Sequence, residues 1–191
     1  MSNIAIFASG SGTNAENIIN YFSKRDDIVI QLVLSNKKDA FVLKRAEDHH
    51  IPTYTFNRET FYNTQQVLYQ LQQHNIDFVV LAGFLWLVPD YITNAYPNHI
   101  INIHPALLPK YGGKGMYGHH VHEAVINAGE KFSGITIHYV NSAYDSGDII
   151  FQATCEIAPG ETPESLAEKV HELEYRHFPE VIDNLITGKD K

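Results

Sequence analysis

Along the N-terminal half of the chain, short apolar runs alternate with stretches whose apolar positions recur at three- and four-residue spacing. The runs read as strands buried on both faces, and the periodic stretches as helices with one apolar side. Ile4 to Ala8 opens as a strand. A glycine-rich turn follows, Ser9-Gly10-Ser11-Gly12-Thr13-Asn14, then a helix from near Asn14 with Ile18, Ile19 and Phe22 toward the core. Ile28 to Leu34 is the second strand, and Ala40 to His49 a helix ended by Pro52. Thr53 to Phe56 is a short strand, and Arg58 to His74 a single helix. Phe78 to Ala82 is the most apolar strand and is expected at the sheet's centre. Gly83 ends it, Pro89 starts a short helix, and His99 to Ile103 is the fifth strand. Alternation of this kind predicts an α/β fold with a mostly parallel sheet covered on both faces.

From about residue 105 the pattern changes. A loop rich in Gly and Lys precedes a helix near Val121 to Ala128. Two strands follow, Gly134 to Val140 and Asp148 to Ile157. The turn between them holds Asp145 and is short enough for an antiparallel pair. Pro163 fits the first turn of a long last helix, with Thr162 as its N-cap. No repeat, low-complexity tract or linker interrupts the 191 residues, which read as one domain, 1–191.

Composition narrows the function classes. Net charge is −8 and the pI about 5.7. A broad nucleic-acid-binding face does not fit that balance, whereas a small anion held by backbone amides does. No apolar stretch approaches the roughly 20 residues of a membrane helix, and Met1-Ser2-Asn3-Ile4 does not open a signal peptide. Cys155 is the single cysteine, so no intrachain disulfide forms and a cytoplasmic location is expected. It falls in a strand pattern and reads as core.

Candidate chemistry gathers at Asn102-Ile103-His104-Pro105 and at Asp145 in Tyr144-Asp145-Ser146-Gly147-Asp148. Asn102 and His104 are two residues apart, so on an extended chain they face one side. An amide, an imidazole and a carboxylate polarise a carbonyl, hold the oxyanion formed on attack and orient the ring. The plainer reading is a strand-ending turn with side chains bonded to nearby backbone.

The loop at Gly12, Thr13 and Asn14 sits between a strand and a helix, where helix amides receive phosphate. The alternative there is a tight turn with Thr13 or Asn14 as cap. It is no dinucleotide fingerprint, because Ala15 stands where that pattern has Gly, and no P-loop Gly-Lys-Ser/Thr follows. Gly83 to Val88 reads either as core packing or as an apolar slot for a flat heterocycle at a strand end. His119, His120 and His122 invite a metal reading, but no carboxylate-plus-histidine arrangement of a known type accompanies them. A solvated, loop-capping cluster is the expectation, and no metal.

Taken in order, Ser9-Gly10-Ser11-Gly12-Thr13-Asn14, Leu81-Ala82-Gly83-Phe84, Asn102-Ile103-His104-Pro105-Ala106-Leu107-Leu108-Pro109 and Gly134-Ile135-Thr136 through Asp145-Ser146-Gly147 resemble the folate-dependent formyltransferase superfamily. The resemblance covers nearly the whole chain. The Asn-Ile-His-Pro block with the downstream aspartate is specific to the superfamily. The first loop narrows it to the branch that formylates glycinamide ribonucleotide in purine biosynthesis.

This resemblance implies a Rossmann-like fold and transfer of a formyl group from 10-formyltetrahydrofolate to the glycinamide amine. It implies Asn102, His104 and Asp145 as the catalytic trio, with His104 protonated at the oxyanion and Asp145 orienting it. Gly12, Thr13 and Asn14 would hold the ribonucleotide phosphate, and Glu174 on the last helix would contact the ribonucleotide. Leu85, Trp86, Leu87 and Val88, with Val140 and Asn141 in the loop leading to Asp145, would enclose the pterin. The implied partners are glycinamide ribonucleotide and reduced folate, without nucleic acid, membrane or metal, in a monomer or homodimer.

Two departures from the family pattern stand out. Many relatives carry Arg where this chain has Trp86. The glycine-rich segment from Tyr111 to Gly118 is longer than in many members, and its glycines suggest a mobile flap. Competing readings are a formyltetrahydrofolate hydrolase and a non-catalytic phospho-ligand binding protein. Hydrolases of this kind carry an N-terminal regulatory domain, and methionyl-tRNA formyltransferases a C-terminal RNA-binding one. Neither is expected here, with the first strand opening at the N-terminus and the chain ending soon after the last helix. The intact trio argues against a mere binding protein.

Overall fold

The structure is a computed structural model and describes residues 1–188. Its topology is a seven-stranded sheet of order β3-β2-β1-β4-β5-β6-β7. The chain divides into two compact units, Met1–Ile101 and the remainder from Asn102.

In the first unit, β1 (Ser2–Phe7), β2 (Ile28–Ser35), β3 (Thr53–Thr55) and β4 (Phe78–Leu81) pair in parallel, β1 against both β2 and β4, and β2 against β3. All four residues of β4 are buried, as its unbroken apolar run requires. Helices α1 (Thr13–Phe22) and α2 (Phe41–Asp48) pack on β2. Ile18, Ile19 and Phe22 of α1 are buried at helical spacing.

The stretch expected as one helix from Arg58 to His74 is two, α3 (Arg58–Tyr62) and α4 (Gln66–Gln73). The break falls at Asn63-Thr64-Gln65. Thr64 Oγ1 donates to the Thr60 carbonyl (2.8 Å) and accepts from the Gln66 N–H (3.2 Å). This hydroxyl closes one helix and opens the next, an alternative to the helical ladder that threonine offers readily. After β4 come α5 (Asp90–Ala95), with Pro89 as its N-cap, and β5 (Ile100–His104), which runs past the boundary between the units.

In the second unit, α6 (His119–Asn127) precedes β6 (Phe132–Tyr139) and β7 (Ile149–Glu156), which pair antiparallel as expected. The long α7 (Pro163–Thr187) packs on α6, β6 and β7. Thr162 and Ser165 exchange bonds in a capping box, which fixes the start of α7 where Pro163 marked it. Other elements begin or end within a few residues of their predicted bounds.

Candidate active site

Asn102 and His104 end β5, and His104 is buried to 3% exposure. The loop that follows is pinned by Thr136 of β6. Its hydroxyl donates to the Ala106 carbonyl (2.7 Å) and accepts from the Leu108 N–H (3.0 Å). Gln152 of β7 donates to the Leu108 carbonyl (3.1 Å) and to Thr136 Oγ1 (2.9 Å). Every hydrogen-bonding capacity of the buried hydroxyl is therefore used, two bonds on the 106–108 segment and one on Gln152. That segment contains the cis Leu108-Pro109 bond.

Asp145 lies among three groups. Its Oδ2 accepts the Gly113 N–H at 2.9 Å and stands 3.6 Å from His104 Nδ1; its Oδ1 stands 3.6 Å from His138 Nε2. The two imidazoles sit at ion-pair distance, too far for a hydrogen bond. Close approach of the 111–113 segment requires Gly112, where a Cβ would come within 2.6 Å of Leu108 and 3.2 Å of Asp145. Gly147, after Asp145, is fixed likewise by the Tyr139 carbonyl. The structure thus brings Asn102, His104 and Asp145 together in the second unit, and adds His138.

The hydrogen bonds set the tautomers. His104 Nε2 lies 2.8 Å from the Tyr111 carbonyl, which only accepts, so this nitrogen carries the proton. His138 Nδ1 faces the Tyr139 carbonyl at 2.8 Å, so His138 Nε2 holds a lone pair toward the Asn102 amide nitrogen at 3.1 Å. Asn102 spends one N–H there and keeps a second.

Electrostatics correct one expectation. Burial is the strongest influence on His104 and pushes its pKa below the usual histidine value; Asp145 and the Tyr111 carbonyl pull the other way without prevailing. The resting imidazole is neutral at pH 7, not protonated. Burial of Asp145 works to raise its pKa, but His138, His104 and the Gly113 N–H together hold the carboxyl below its usual value.

The histidines of α6 also depart from a uniformly solvated cluster. His119 and His120 are exposed and face Glu123, at 3.2 and 3.4 Å. His122 is buried to 2% exposure, its Nδ1 makes no hydrogen bond among the described residues, and burial lowers its pKa to about 4. Among the described residues no group of three or more His, Cys, Asp or Glu side chains is placed to hold a metal.

In the first unit, Gly12 caps α1 with φ 73°, and a Cβ there would overlap Val42. The loop is braced from α2: Val42 N–H donates to the Gly10 carbonyl (3.1 Å), and Arg45 Nε to the Ser11 carbonyl (2.9 Å). Arg45 also pairs with Glu16. Thr13 and Asn14 begin the helix, whose first N–H groups lack intrahelical acceptors. Leu85, Trp86 and Leu87 are half-buried and Val88 is buried. Trp86 joins an aromatic cluster with Phe56, Phe61, Tyr62 and Phe84, at ring separations of 5.9 to 6.4 Å. Arg58 stacks over its face at 5.0 Å. The slot reading and the core reading thus meet in one segment.

Glu174 is buried in α7 at 5% exposure. Val140 is half-buried; Asn141 is exposed, and its side-chain Oδ1 accepts from the Ala143 N–H and the Ser146 hydroxyl, both at 3.0 Å. His138 and Arg45 escaped the sequence reading. Thr136 and His138 are polar and two apart, alternating with Ile135 and Ile137, and that period-two pattern was the signal that could have found them. No local signal ties Arg45 to Ser11.

A half-buried amide and a buried imidazole at the end of an α/β strand, with a half-buried carboxylate brought to them by a loop, define an enzyme site for chemistry at a carbonyl. The chain belongs to the formyl transferase family, whose sequence profile matches residues 2–182. It is 37% identical over 191 residues to phosphoribosylglycinamide formyltransferase of Bacillus subtilis, covering 97% of this chain and 95% of that protein. It is 40% identical over 187 residues to the chloroplastic phosphoribosylglycinamide formyltransferase of Arabidopsis thaliana, covering 94% of this chain. The match spans 63% of that longer relative, less than two thirds of its length. The crystal structure of phosphoribosylglycinamide formyltransferase from Bacillus halodurans superposes with a TM-score of 0.87 at 37% identity, over 99% of this chain and 97% of that one.

Proposed function

We propose that the protein transfers the formyl group of 10-formyltetrahydrofolate to the amine of glycinamide ribonucleotide, as one formyltransferase domain over residues 1–191. The observation that carries this reading is the second unit's constellation. A neutral His104 has its Nε2 proton set, Asn102 has a spare amide N–H, and Asp145 is ionised beside both imidazoles. The relatives' names supply the acceptor, phosphoribosylglycinamide, and the formyl group transferred; the folate donor comes from the superfamily resemblance.

The amine nitrogen attacks the formyl carbon and forms the new C–N bond, and the carbonyl pair moves onto oxygen. Asn102 Nδ2–H and His104 Nε2–H donate to that oxyanion. His104 gives up the Tyr111 carbonyl to do so. The proton released by the amine passes to Asp145, directly or through water, with His104 Nδ1 as the neighbouring acceptor. Return of the oxygen pair breaks the bond to folate N10, which takes a proton. His138 holds the Asn102 amide in register.

In the same reading, amides of Gly12, Thr13 and Asn14 receive the ribonucleotide phosphate. Glu174 contacts the ribonucleotide. Leu85 to Val88, with Val140 and Asn141, enclose the pterin. Trp86 serves through its ring face and the segment it anchors. Among the described residues no helix is long and apolar enough to cross a membrane. We place the protein in the cytoplasm as a monomer or homodimer.

The test is direct. Protein, 10-formyltetrahydrofolate and glycinamide ribonucleotide are mixed, and tetrahydrofolate and formylated ribonucleotide are measured. Equal amounts of both are expected, with no tetrahydrofolate when the ribonucleotide is left out. Tetrahydrofolate release without ribonucleotide would identify a hydrolase, and release in neither case would end the enzymatic reading.

A further inference from the structure

Two hydrogen bonds from α2 reach successive carbonyls of the first loop. Val42 N–H donates to the Gly10 carbonyl at 3.1 Å, and Arg45 Nε to the Ser11 carbonyl at 2.9 Å. Their consequence follows from the planarity of the peptide. In a trans unit the C=O and the N–H point in opposite directions. The peptides joining Gly10 to Ser11 and Ser11 to Gly12 are both trans. With both carbonyls turned toward α2, the Ser11 and Gly12 N–H groups are turned away from it, to one side. Among the described residues neither N–H has an acceptor within the chain. Gly12 lies in the left-handed region, and successive N–H groups at such a turn form a concavity for an anion.

Arg45 is itself held. Its Nη1 pairs with Glu16 of α1, and its guanidinium lies over the Phe41 ring at 4.9 Å. The planar fork thus serves two acceptors in fixed directions, Nε on Ser11 and Nη1 on Glu16. Glu16 meets the positive charge. The guanidinium lies on the carbonyl side of the Ser11–Gly12 peptide, so an anion on the N–H side has that peptide between itself and Arg45. The side chain is placed to orient the loop and not to touch the anion.

We infer that Arg45 is a positioning residue for a phosphate group at the first loop. It fixes the Ser11 carbonyl against α2 and so aims the Gly12 N–H, as Val42 aims the Ser11 N–H one peptide earlier. Ser11 thereby joins Gly12, Thr13 and Asn14 as a donor. The role rests on the phosphate assignment in the function proposed above.

The experiment titrates ribose 5-phosphate into the whole protein, without folate and at constant ionic strength, while NMR follows the backbone amides of Ser11, Gly12 and Thr13. Wild type is compared with Arg45→Gln, which removes the donor to Ser11, and with Glu16→Ala, which leaves Arg45 but removes what holds it. Wild type should saturate, Arg45→Gln should bind at least about fivefold more weakly, and Glu16→Ala about threefold more weakly. The sign for Glu16→Ala is decisive, because losing a negative charge near an anion tightens binding if charge alone acts. In the formyl-transfer assay, Arg45→Gln should raise the KM for ribonucleotide by the same factor and leave the KM for 10-formyltetrahydrofolate unchanged. Glu16 is half-buried on α1 and alanine is a strong helix former, so Glu16→Ala carries the test if Arg45→Gln fails to fold. Affinity equal to or above wild type in either variant would overturn the positioning role and leave phosphate at the loop. A rise in both KM values together would reduce Arg45 to a structural residue. Wild-type amides that do not saturate would overturn the phosphate assignment, and the role of Arg45 with it.

Discussion

His122 makes folding stability depend on pH in a way that one substitution should remove. Its ordinary pKa of 6.5 falls to about 4 in the folded protein, chiefly through burial, with His171 and His119 lowering it further. The unfolded chain takes up this proton as pH drops through 6.5; the folded chain resists until about pH 4. Between those values the unfolded state binds more protons, so stability rises with pH. The contribution is complete above pH 6.5, is lost progressively as pH falls, and levels off below about pH 4.

A shift of this size corresponds to about 3 kcal/mol over the whole window, and to roughly 2 kcal/mol at pH 5. His122→Leu removes the titrating group and an Nδ1 that has no partner among the described residues. Urea unfolding at pH 8 should therefore give a stability within about 1 kcal/mol of wild type. At pH 5 the variant should exceed wild type by roughly 2 kcal/mol more than it does at pH 8. Taking the difference between the two proteins cancels the other histidines. Parallel curves from pH 8 to pH 5 would refute a buried neutral His122.

His104→Ala and Asn102→Ala should each lower turnover by roughly 10²- to 10⁴-fold with folding intact, and a near-wild-type rate in either would remove that residue from the mechanism. Asp145→Asn should also slow turnover, and because Asp145 raises the His104 pKa against burial, NMR should show His104 titrating at still lower pH. An unchanged rate and titration would reduce Asp145 to a turn residue. Gly12→Ala should destabilise the protein, since the position needs φ 73° and abuts Val42, whereas Gly10→Ala meets nothing and should raise the ribonucleotide KM alone; equal KM values in Gly10→Ala and wild type would refute phosphate at this loop. Thr136→Val should cost about 1 to 3 kcal/mol in urea unfolding by orphaning the Leu108 N–H and the Ala106 carbonyl, and an unaltered midpoint would contradict those bonds.

What the sequence made legible follows from how local each cause is. β4 was readable because Phe78-Val79-Val80-Leu81 is buried by its own composition, and the start of α7 because Thr162 and Pro163 act within one turn. The break between α3 and α4 was not readable, because apolar spacing continues across it and only the bonds of one hydroxyl, Thr64, end the first helix. The trio was readable as residue types. Its protonation was not, since the low pKa of His104 comes from burial that no spacing reveals. The same holds for His122, which shares α6 with two exposed histidines yet faces inward. Arg45 holds Ser11 across 34 positions of sequence, a contact only the folded chain supplies.

The neutral state of His104 and the Tyr111 carbonyl are two sides of one arrangement. An imidazole buried without a partner for its N–H would be costly, and one paired too well with a carboxylate would rest as a cation. Here Nε2–H is satisfied by a backbone carbonyl at 2.8 Å, while Asp145 stands back at 3.6 Å from Nδ1, bonded instead to Gly113. The carboxylate is close enough to favour an imidazolium as charge develops, yet too far to create one at rest. The carbonyl that keeps the donor occupied belongs to Tyr111, which has φ 58° and opens the glycine-rich 111–118 segment. In the mechanism we propose, exchanging a carbonyl oxygen for the developing oxyanion trades a neutral acceptor for a charged one, a stronger bond from the same donor. The gain is thus realised in the transition state and not in the ground state, which is where binding has to act to raise the rate.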